Sequence, residues 1–151
     1  MKPSKVIVDM RHYIKELLKE YPYELNKNIE CPWNGKLFEN DNNMEQLTKE
    51  HAEAFHTFVM KCMFLAKRGR PDILTGIGYL STKVLQLYEA DLKKLSRIIS
   101  YSKKTINMQL TLEANNTQTI AWYVNSSFGV HKDMRSQTGL VYILGKGCIV
   151  G

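Results

Sequence analysis

The sequence predicts an α+β fold in which helices occupy residues 1–104 and strands follow over residues 105–151. Two observations support this prediction. Before residue 105, apolar residues recur at the three- and four-residue spacing of amphipathic helices. After it, "INMQLTLE" at residues 106–113 alternates apolar and polar side chains, as a half-buried strand does. A chain of 151 residues fits one domain or two fragments of domains, and it is long enough to bury a core.

Helices are predicted at about residues 9–21, 48–66, 71–84 and 89–102. The first ends at Pro22, because proline cannot continue a helix. Thr48 is a favourable N-cap for the second helix, and Pro71 suits the first turn of the third. Gly76 and Gly78 lie inside the third helix, where each glycine costs about 1 kcal/mol relative to alanine. Such a cost predicts close packing of this helix against a neighbour.

The remaining segments divide into an irregular loop and a series of strands. Residues 22–47 are rich in Pro, Gly, Asn and Asp, which predicts a loop anchored to the body by Trp33, Leu37 and Phe38. Strands are predicted at residues 106–113, 118–125, 139–145 and 148–150, as an incomplete antiparallel β meander. This meander stops in apolar sequence, so its exposed edge is expected to aggregate or to take a partner.

Composition limits the class of protein. The formal charge is +6 and the pI is near 9.2, which permits an anionic partner but gives only weak support for one. Cys31, Cys62 and Cys148 are far apart and odd in number, which argues against a disulfide framework and favours reduced thiols. The sequence shows neither a signal peptide nor an apolar run long enough to span a membrane. We therefore expect a cytoplasmic or nuclear protein that is not secreted.

Two basic clusters are candidates for contact with a phosphate backbone, where cationic groups displace counterions. The first lies near the junction of the second and third helices, and the second lies on the fourth helix, with Lys103 and Lys104 just beyond it. The clusters comprise Lys61, Lys67, Arg68 and Arg70, and Lys93, Lys94 and Arg97. The alternative is a solvated helix face, which is commoner and is slightly favoured on composition alone.

Metal-site candidates are weak. His51 and His56 flank Glu53 but are five residues apart, whereas the HExxH zinc motif needs four. His131 and Asp133 fall in a predicted hairpin loop, and one residue of each type is too few for a metal site. The sequence has no glycine-rich phosphate loop and no nucleophile elbow. These patterns alone indicate a soluble basic α+β fragment of unknown function.

Several ordered segments resemble one family. "HTFVMKCMFLAKRGRPDILTGIGYLSTKV", "DLKKLSRIISYSKKT" and "WYVNSSFGVHKDMRSQTGLVYILGKGCI" resemble the polyprotein of copia-type LTR retrotransposons, where the reverse transcriptase ends and ribonuclease H begins. "RPDI" is the family's thumb-region hallmark. The second segment resembles its Trp-x-x-Leu-x-Arg-x-x-x-Tyr-Leu-x-Gly-Thr pattern, and "RSQTG" resembles an Arg-Ser-x-Thr-Gly strand. "VDMRHYIKELLKEY" fits the helix after the palm, so the resemblance covers nearly the whole chain.

The resemblance implies two regions and a lost metal site. Residues 1–104 are similar to the thumb and connection of a reverse transcriptase, and residues 105–151 to the opening strands of a truncated ribonuclease H. In the family, a Tyr-Val-Asp-Ala-Ser-Phe strand supplies the first ligand for catalytic magnesium. This chain reads "YVNSSF", so Asn125 occupies that position and lacks the charge that Mg²⁺ favours. The polymerase's Asp-Asp pair is also missing.

The resemblance therefore implies a non-catalytic fragment, with no cofactor expected for this chain although the intact family uses Mg²⁺. Residual binding to an RNA–DNA hybrid or other nucleic acid is expected from the two basic clusters. The alternative is a nucleic-acid-binding or protein-interaction module that is retained without catalysis. A third hypothesis is RNA cleavage after assembly with another copy. Expected partners are nucleic acid, missing parts of the polyprotein, or a second copy at the exposed sheet edge, and no membrane.

Overall fold

The computed structural model describes residues 5–27, 29–35, 37–39, 45–83, 87–114, 119–127, 137–143 and 145–149. The chain divides into two compact units. One is helical and runs from Met10 to Met108, and the other combines residues before Met10 with those from Gln109 onward. The predicted α+β class is confirmed, because the described residues contain helices and small antiparallel sheets. The main part of the strand-containing unit begins at Gln109, close to the predicted change of periodicity at residue 105. The unit also includes the start of the chain.

The helices are α1 (Arg11–Glu20), α2 (Lys49–Arg68), α3 (Leu74–Ser81) and α4 (Glu89–Lys104), with a short 3-10 helix at Pro71–Ile73. Local capping sets several of their ends. The Thr48 hydroxyl accepts a hydrogen bond from the His51 backbone N–H at 3.4 Å, which begins α2 as predicted. Asp91 accepts one from the Tyr88 backbone N–H at 3.2 Å in a capping box at the start of α4. Pro71 begins a 3-10 turn rather than the predicted α-helix, which starts at Leu74.

The core of the helical unit lies between α1, α2, α3 and α4. Its fully buried side chains include Ile14, Phe55, Leu65, Ile77, Leu80, Leu95, Ile98 and Ile99. The irregular loop packs on this core through Leu37, which is buried, and Trp33, which is partly buried. The loop after α1 is also hydrogen-bonded to α4, because the Asn26 backbone N–H donates to the Ser100 hydroxyl at 2.9 Å. The predicted anchoring by Trp33 and Leu37 is therefore confirmed.

The strands are β1 (Lys5–Val8), β2 (Leu110–Ala114), β3 (Ala121–Ser127), β4 (Gln137–Ile143) and β5 (Gly145–Lys146). They form two sheets, β1-β2-β5 and β3-β4. In the first, β1 runs antiparallel to β2 with Lys5 opposite Glu113. In the second, β3 runs antiparallel to β4, from Ala121 opposite Ile143 to Ser127 opposite Gln137.

This arrangement corrects two sequence-based expectations. The predicted single meander is divided between two sheets, because β2 pairs with β1 and β5 rather than with β3. The last strand lies at Gly145–Lys146 and not at residues 148–150, of which 150 lies outside the described residues. Gly147 explains the turn after β5: its φ is +82°, and a Cβ there would overlap the Thr111 carbonyl oxygen on β2. Strand β1 was not predicted.

The two glycines of α3 provide a matched test of packing. A Cβ on Gly76 would lie 2.9 Å from Ile98 Cδ1 and 3.0 Å from Trp33 Cε3, whereas one on Gly78 would meet nothing within 4 Å. We expect Gly78→Ala to raise the free energy of unfolding by about 0.5–1 kcal/mol through helix propensity. Gly76→Ala is expected to lower it by about 1 kcal/mol, because overpacking exceeds that gain.

Urea denaturation of both variants and the wild type measures this difference. Equal stabilisation by the two alanines would contradict the close packing of Gly76 against α4 and the loop.

Candidate nucleic-acid interface

A buried arginine connects the ends of two helices. Arg70 follows α2 and is 1% exposed. Its Nε and Nη2 donate to the Asp72 carboxylate at 2.9 and 2.8 Å. Its Nη1 donates to the Thr105 carbonyl at 3.2 Å, and Nη2 also donates to the Thr105 hydroxyl at 2.6 Å. The guanidinium lies 5.5 Å from the ring centre of Tyr101. We refer to these four residues as the Arg70 cluster.

Most hydrogen bonds of the Arg70 cluster are made between its own members. The Thr105 hydroxyl, which accepts from Arg70, donates to the Tyr101 carbonyl at 2.7 Å. Burial, followed by the nearby Asp72 carboxylate, raises the pKa of Tyr101, so this phenol stays neutral at physiological pH. Arginine suits such a site because its planar fork of donors binds carboxylate and carbonyl oxygens together. Arg70 is therefore a structural residue here, and its guanidinium is not available to a phosphate.

The Arg70 cluster places the last turns of α2 and α4 at the same end of the helical unit. Arg70 comes directly after α2, and Thr105 comes directly after α4. The last turn of α2 contains Lys67 and Arg68, and that of α4 contains Lys103 and Lys104; all four side chains are exposed. We call these four residues the basic end. Within the described part of the chain, none of the four takes part in an ion pair.

The basic end also has an exposed aromatic neighbour. The Arg68 guanidinium lies 5.4 Å from the ring centre of Phe64, one turn earlier on α2, and Phe64 is itself exposed. The Tyr13 ring of α1 lies 5.2 Å from Phe64. Cations that bear no local counter-charge and lie beside aromatic faces are typical of surfaces that contact nucleic-acid backbones and bases. The last turns of helices also favour cations through the helix dipole.

Lys61 and Lys93, both sequence-predicted contacts, have acidic partners instead. The Lys61 ammonium pairs with the Glu20 carboxylate of α1. The Lys93 ammonium lies 3.7 Å from Glu89, one turn earlier on α4. Both pairs reach solvent, where such interactions contribute at most about 1 kcal/mol. A phosphate would therefore have to compete with a carboxylate for each of these two lysines.

Lys94 and Arg97, on the same helix, bind the irregular loop. Lys94 is only 17% exposed, and its ammonium donates to the Glu39 carbonyl at 2.6 Å. Burial lowers the pKa of Lys94, while the nearby Asp91 carboxylate opposes that shift. The Arg97 Nε donates to the Cys31 carbonyl at 3.2 Å. These two residues stabilise the loop against α4 and share a small pocket with its Trp33 side chain.

The residues that sequence reasoning grouped together are thus divided by the fold. Lys67 and Arg68 remain exposed, whereas Arg70 is buried and the α4 residues are paired with Glu89 or with the loop. Lys103 and Lys104, noted in the sequence beside the second cluster, join the first cluster at the basic end. The sequence does indicate that each pair lies in the last turn of a helix. That the two helix ends lie together is seen only in the folded structure, where the Arg70 cluster connects them.

Asn125 lies at an exposed position of β3, opposite Gly139 of β4. The described residues contain no group of three His, Cys, Asp or Glu side chains that could hold a metal ion. His131 and Asp133 lie outside the described residues. An amide oxygen carries no net negative charge, so Asn125 is a weaker ligand for Mg²⁺ than a carboxylate would be at the same position.

The histidines of α2 make aromatic contacts. The His51 ring lies 5.7 Å from Tyr23, and the His56 ring lies 5.7 Å from Phe55. Cys31, Cys62 and Cys148, all of them described, form no disulfide bond. None of the helices in the described ranges is both long and apolar enough to cross a membrane.

Comparison with known proteins adds no assignment. No protein-family model, curated protein or solved structure matches the chain.

Replacing Arg70 tests the role of its cluster. We expect Arg70→Lys to lower the free energy of unfolding by about 2–3 kcal/mol, because lysine cannot serve Asp72 and Thr105 together and leaves buried acceptors unpaired. Arg68→Lys is the matched control, since Arg68 is exposed, and it should change stability by less than about 0.5 kcal/mol. Chemical denaturation measures both. Equal effects of the two substitutions would contradict the structural role of Arg70.

The buried thiol of Cys62 predicts a loss of stability at alkaline pH. Burial raises the pKa of Cys62 from 9.0 to about 12 and that of Tyr21 from 10.0 to about 12. Between the unfolded and folded values, the unfolded chain releases protons that the folded chain keeps, so stability falls as pH rises. The free energy of unfolding should begin to fall near pH 9, at a slope of up to roughly 1.4 kcal/mol per pH unit for each group.

Chemical denaturation at about pH 8, 9 and 10 measures this decline in the free energy of unfolding. Cys62→Ala should flatten the curve between pH 9 and 10, whereas Cys31→Ala removes an exposed thiol and should leave it unchanged. An unaltered slope in Cys62→Ala would rule out Cys62 as the source.

Proposed function

We propose that this chain is a non-catalytic segment of a copia-type reverse transcriptase–ribonuclease H polyprotein, and that its helical unit binds nucleic acid through the basic end. The observation that best supports the proposal is the Arg70 cluster. Its side chains connect two segments on which the resemblance rests, and four exposed cations lie beside it at one end of the helical unit.

The resemblance gains support from this contact because its two motifs lie far apart in the sequence. Arg70 and Asp72 belong to "RPDI", and Thr105 ends "DLKKLSRIISYSKKT", 35 residues later than Arg70. A chance match of short motifs gives no reason for their side chains to meet. Here the threonine that ends one motif provides two of the acceptors for the arginine that begins the other. Both motifs thus have a physical reason to occur together in this chain.

The strand-containing unit also supports the proposal. "YVNSS" and "QTGLVYI" belong to β3 and β4, which pair as antiparallel strands. Antiparallel pairing is what the opening strands of a ribonuclease H-like sheet would require. The absence of a carboxylate at Asn125 supports the non-catalytic part of the proposal, since two-metal hydrolysis needs acidic ligands.

The expected mode of binding is backbone contact. The basic end presents lysine and arginine, which neutralise phosphates and release counterions without reading the sequence. An RNA–DNA hybrid approaches A-form geometry, whose narrow major groove favours recognition of shape and backbone. We therefore expect affinity that depends steeply on salt and weakly on base sequence.

Neutralising part of the basic end should weaken this binding in a defined way. For Lys103→Gln combined with Lys104→Gln, we expect the slope of log affinity against log salt to shrink by about 2, one unit for each phosphate that the variant no longer neutralises. Fluorescence anisotropy with an RNA–DNA hybrid, double-stranded DNA and heparin, across a salt series, measures the slope. The matched control is Lys19→Gln combined with Lys93→Gln, which removes equal charge from lysines already paired with Glu16 and Glu89.

Equal slopes for the two double variants would contradict binding at the basic end. Affinity for heparin equal to that for the hybrid would instead indicate a solvated basic face, the commoner meaning of such clusters. Cleavage is followed in the same tubes with Mg²⁺ present. We expect none from the wild type or from Asn125→Asp, and hydrolysis by either would support the alternative that the chain still cuts RNA.

A further inference from the structure

Strand β3 has one edge without a neighbour among the described strands. It is seven residues long and pairs with β4 alone. The unpaired edge of a strand presents backbone N–H and C=O groups that can accept another strand. Natural proteins usually protect such an edge with charges, prolines, bulges or a covering segment. Between Ala121 and Ser127 the sequence has no charged residue, no proline and no glycine.

Side chains on both faces of β3 are also exposed. Trp122, Tyr123 and Val124 are 60%, 60% and 66% exposed. Because successive side chains of a strand point to opposite faces, Trp122 and Val124 lie on one face and Tyr123 on the other. Aromatic and β-branched side chains at this exposure are typical of interaction sites rather than of solvated surface. Strand β3 therefore presents a backbone edge that no described strand pairs with, together with exposed apolar side chains on both faces of the sheet.

The charge distribution favours a second copy as the occupant. The whole chain has a formal charge of +6, so two copies repel each other on the whole. Residues 114–127 carry no charged side chain and lie in the sequence between Glu113 and the net basic residues 131–135. This neutral stretch is where two copies can approach closely without setting like charges against each other. A strongly acidic partner, by contrast, finds no counter-charge on β3.

The order of side chains in β3 is self-complementary. An antiparallel pairing of two β3 strands about a two-fold axis at Tyr123 sets Tyr123 opposite Tyr123 of the second copy. On the other face, Trp122 of each copy then meets Val124 of the other. Aromatic pairs and aromatic–β-branched pairs are among the favourable cross-strand combinations. The β3–β4 pairing already contains one aromatic pair of this kind, Trp122 with Tyr142, whose ring centres are 5.3 Å apart.

We propose that two copies of this chain associate through β3, in antiparallel register centred on Tyr123, to form a four-stranded sheet β4-β3-β3-β4. The interface is isologous, so pairing at the β3 edge joins two copies and uses up that edge in both of them. The inference is independent of nucleic-acid binding, since the basic end belongs to the helical unit and β3 to the other unit.

The oligomeric state of the full chain tests the proposal. Sedimentation velocity over a concentration series should show a monomer–dimer equilibrium for the wild type. Tyr123→Lys sets two lysines opposite each other at the two-fold axis, and it should weaken the dimer by at least about tenfold. Met60→Lys is the matched control, because it adds the same charge at an exposed position of α2 and should leave the equilibrium unchanged. A wild type that stays monomeric throughout, or equal weakening by both variants, would overturn the proposal.

A cross-linking experiment keeps the test decisive if Tyr123→Lys fails to fold. In a background of Cys31→Ser and Cys148→Ser, Tyr123→Cys should form a disulfide-linked dimer on mild oxidation, since directly opposed residues satisfy disulfide geometry. Ala121→Cys should not, because its counterpart on the second strand would lie about 14 Å away. A dimer that resists cross-linking at position 123, or that cross-links equally at 121, would place the interface elsewhere and overturn this assignment.

Discussion

The helical unit depends on one buried charge and its partners. Arg70 has almost no exposed surface, so its guanidinium must find hydrogen-bond acceptors inside the protein. Asp72 supplies the counter-charge from the adjacent 3-10 turn, and Thr105 supplies two neutral acceptors from the end of α4. This geometry connects the turn after α2 to the end of a helix 35 residues later. The positions of both helix ends, and of the lysines on them, follow from it.

The same chain shows why a count of basic residues is a poor guide to binding. The cations of the two predicted clusters, together with Lys103 and Lys104, fall into three environments: an interior site at Arg70, contacts with acidic residues or with the loop, and the exposed basic end. Lys94 and Lys104 are each the second lysine of a Lys-Lys pair. The Lys94 ammonium nevertheless donates a hydrogen bond to the Glu39 carbonyl and is partly shielded from water. A cation without a local counter-charge can neutralise a phosphate without first giving up a carboxylate partner. The tertiary structure therefore reduces two broad clusters to one compact surface.

The two units have surfaces of different character. The basic end presents exposed charge beside an aromatic ring, whereas β3 presents neutral, apolar side chains on both faces. Charge on the first favours an anionic partner, and its absence on the second favours a partner that pairs by backbone hydrogen bonds. The two proposed interactions therefore use different chemistry and different parts of the chain. A dimer formed by β3 would carry two basic ends and would bind a long polyanion with higher avidity than a monomer.

The sequence by itself determined the four helices, the approximate segments of β2, β3 and β4, and the α+β class, whereas it missed β1 and misplaced β5. Those features follow from local periodicity and from caps such as Thr48, which act within a few residues. Tertiary structure alone decided that β1 pairs with β2, that Arg70 is buried, and that Lys103 and Lys104 share an end with Lys67 and Arg68. Lys5 and Glu113 are opposite each other although most of the chain separates them. Such pairings depend on which surfaces the folded chain buries together, and local sequence patterns carry no record of that choice.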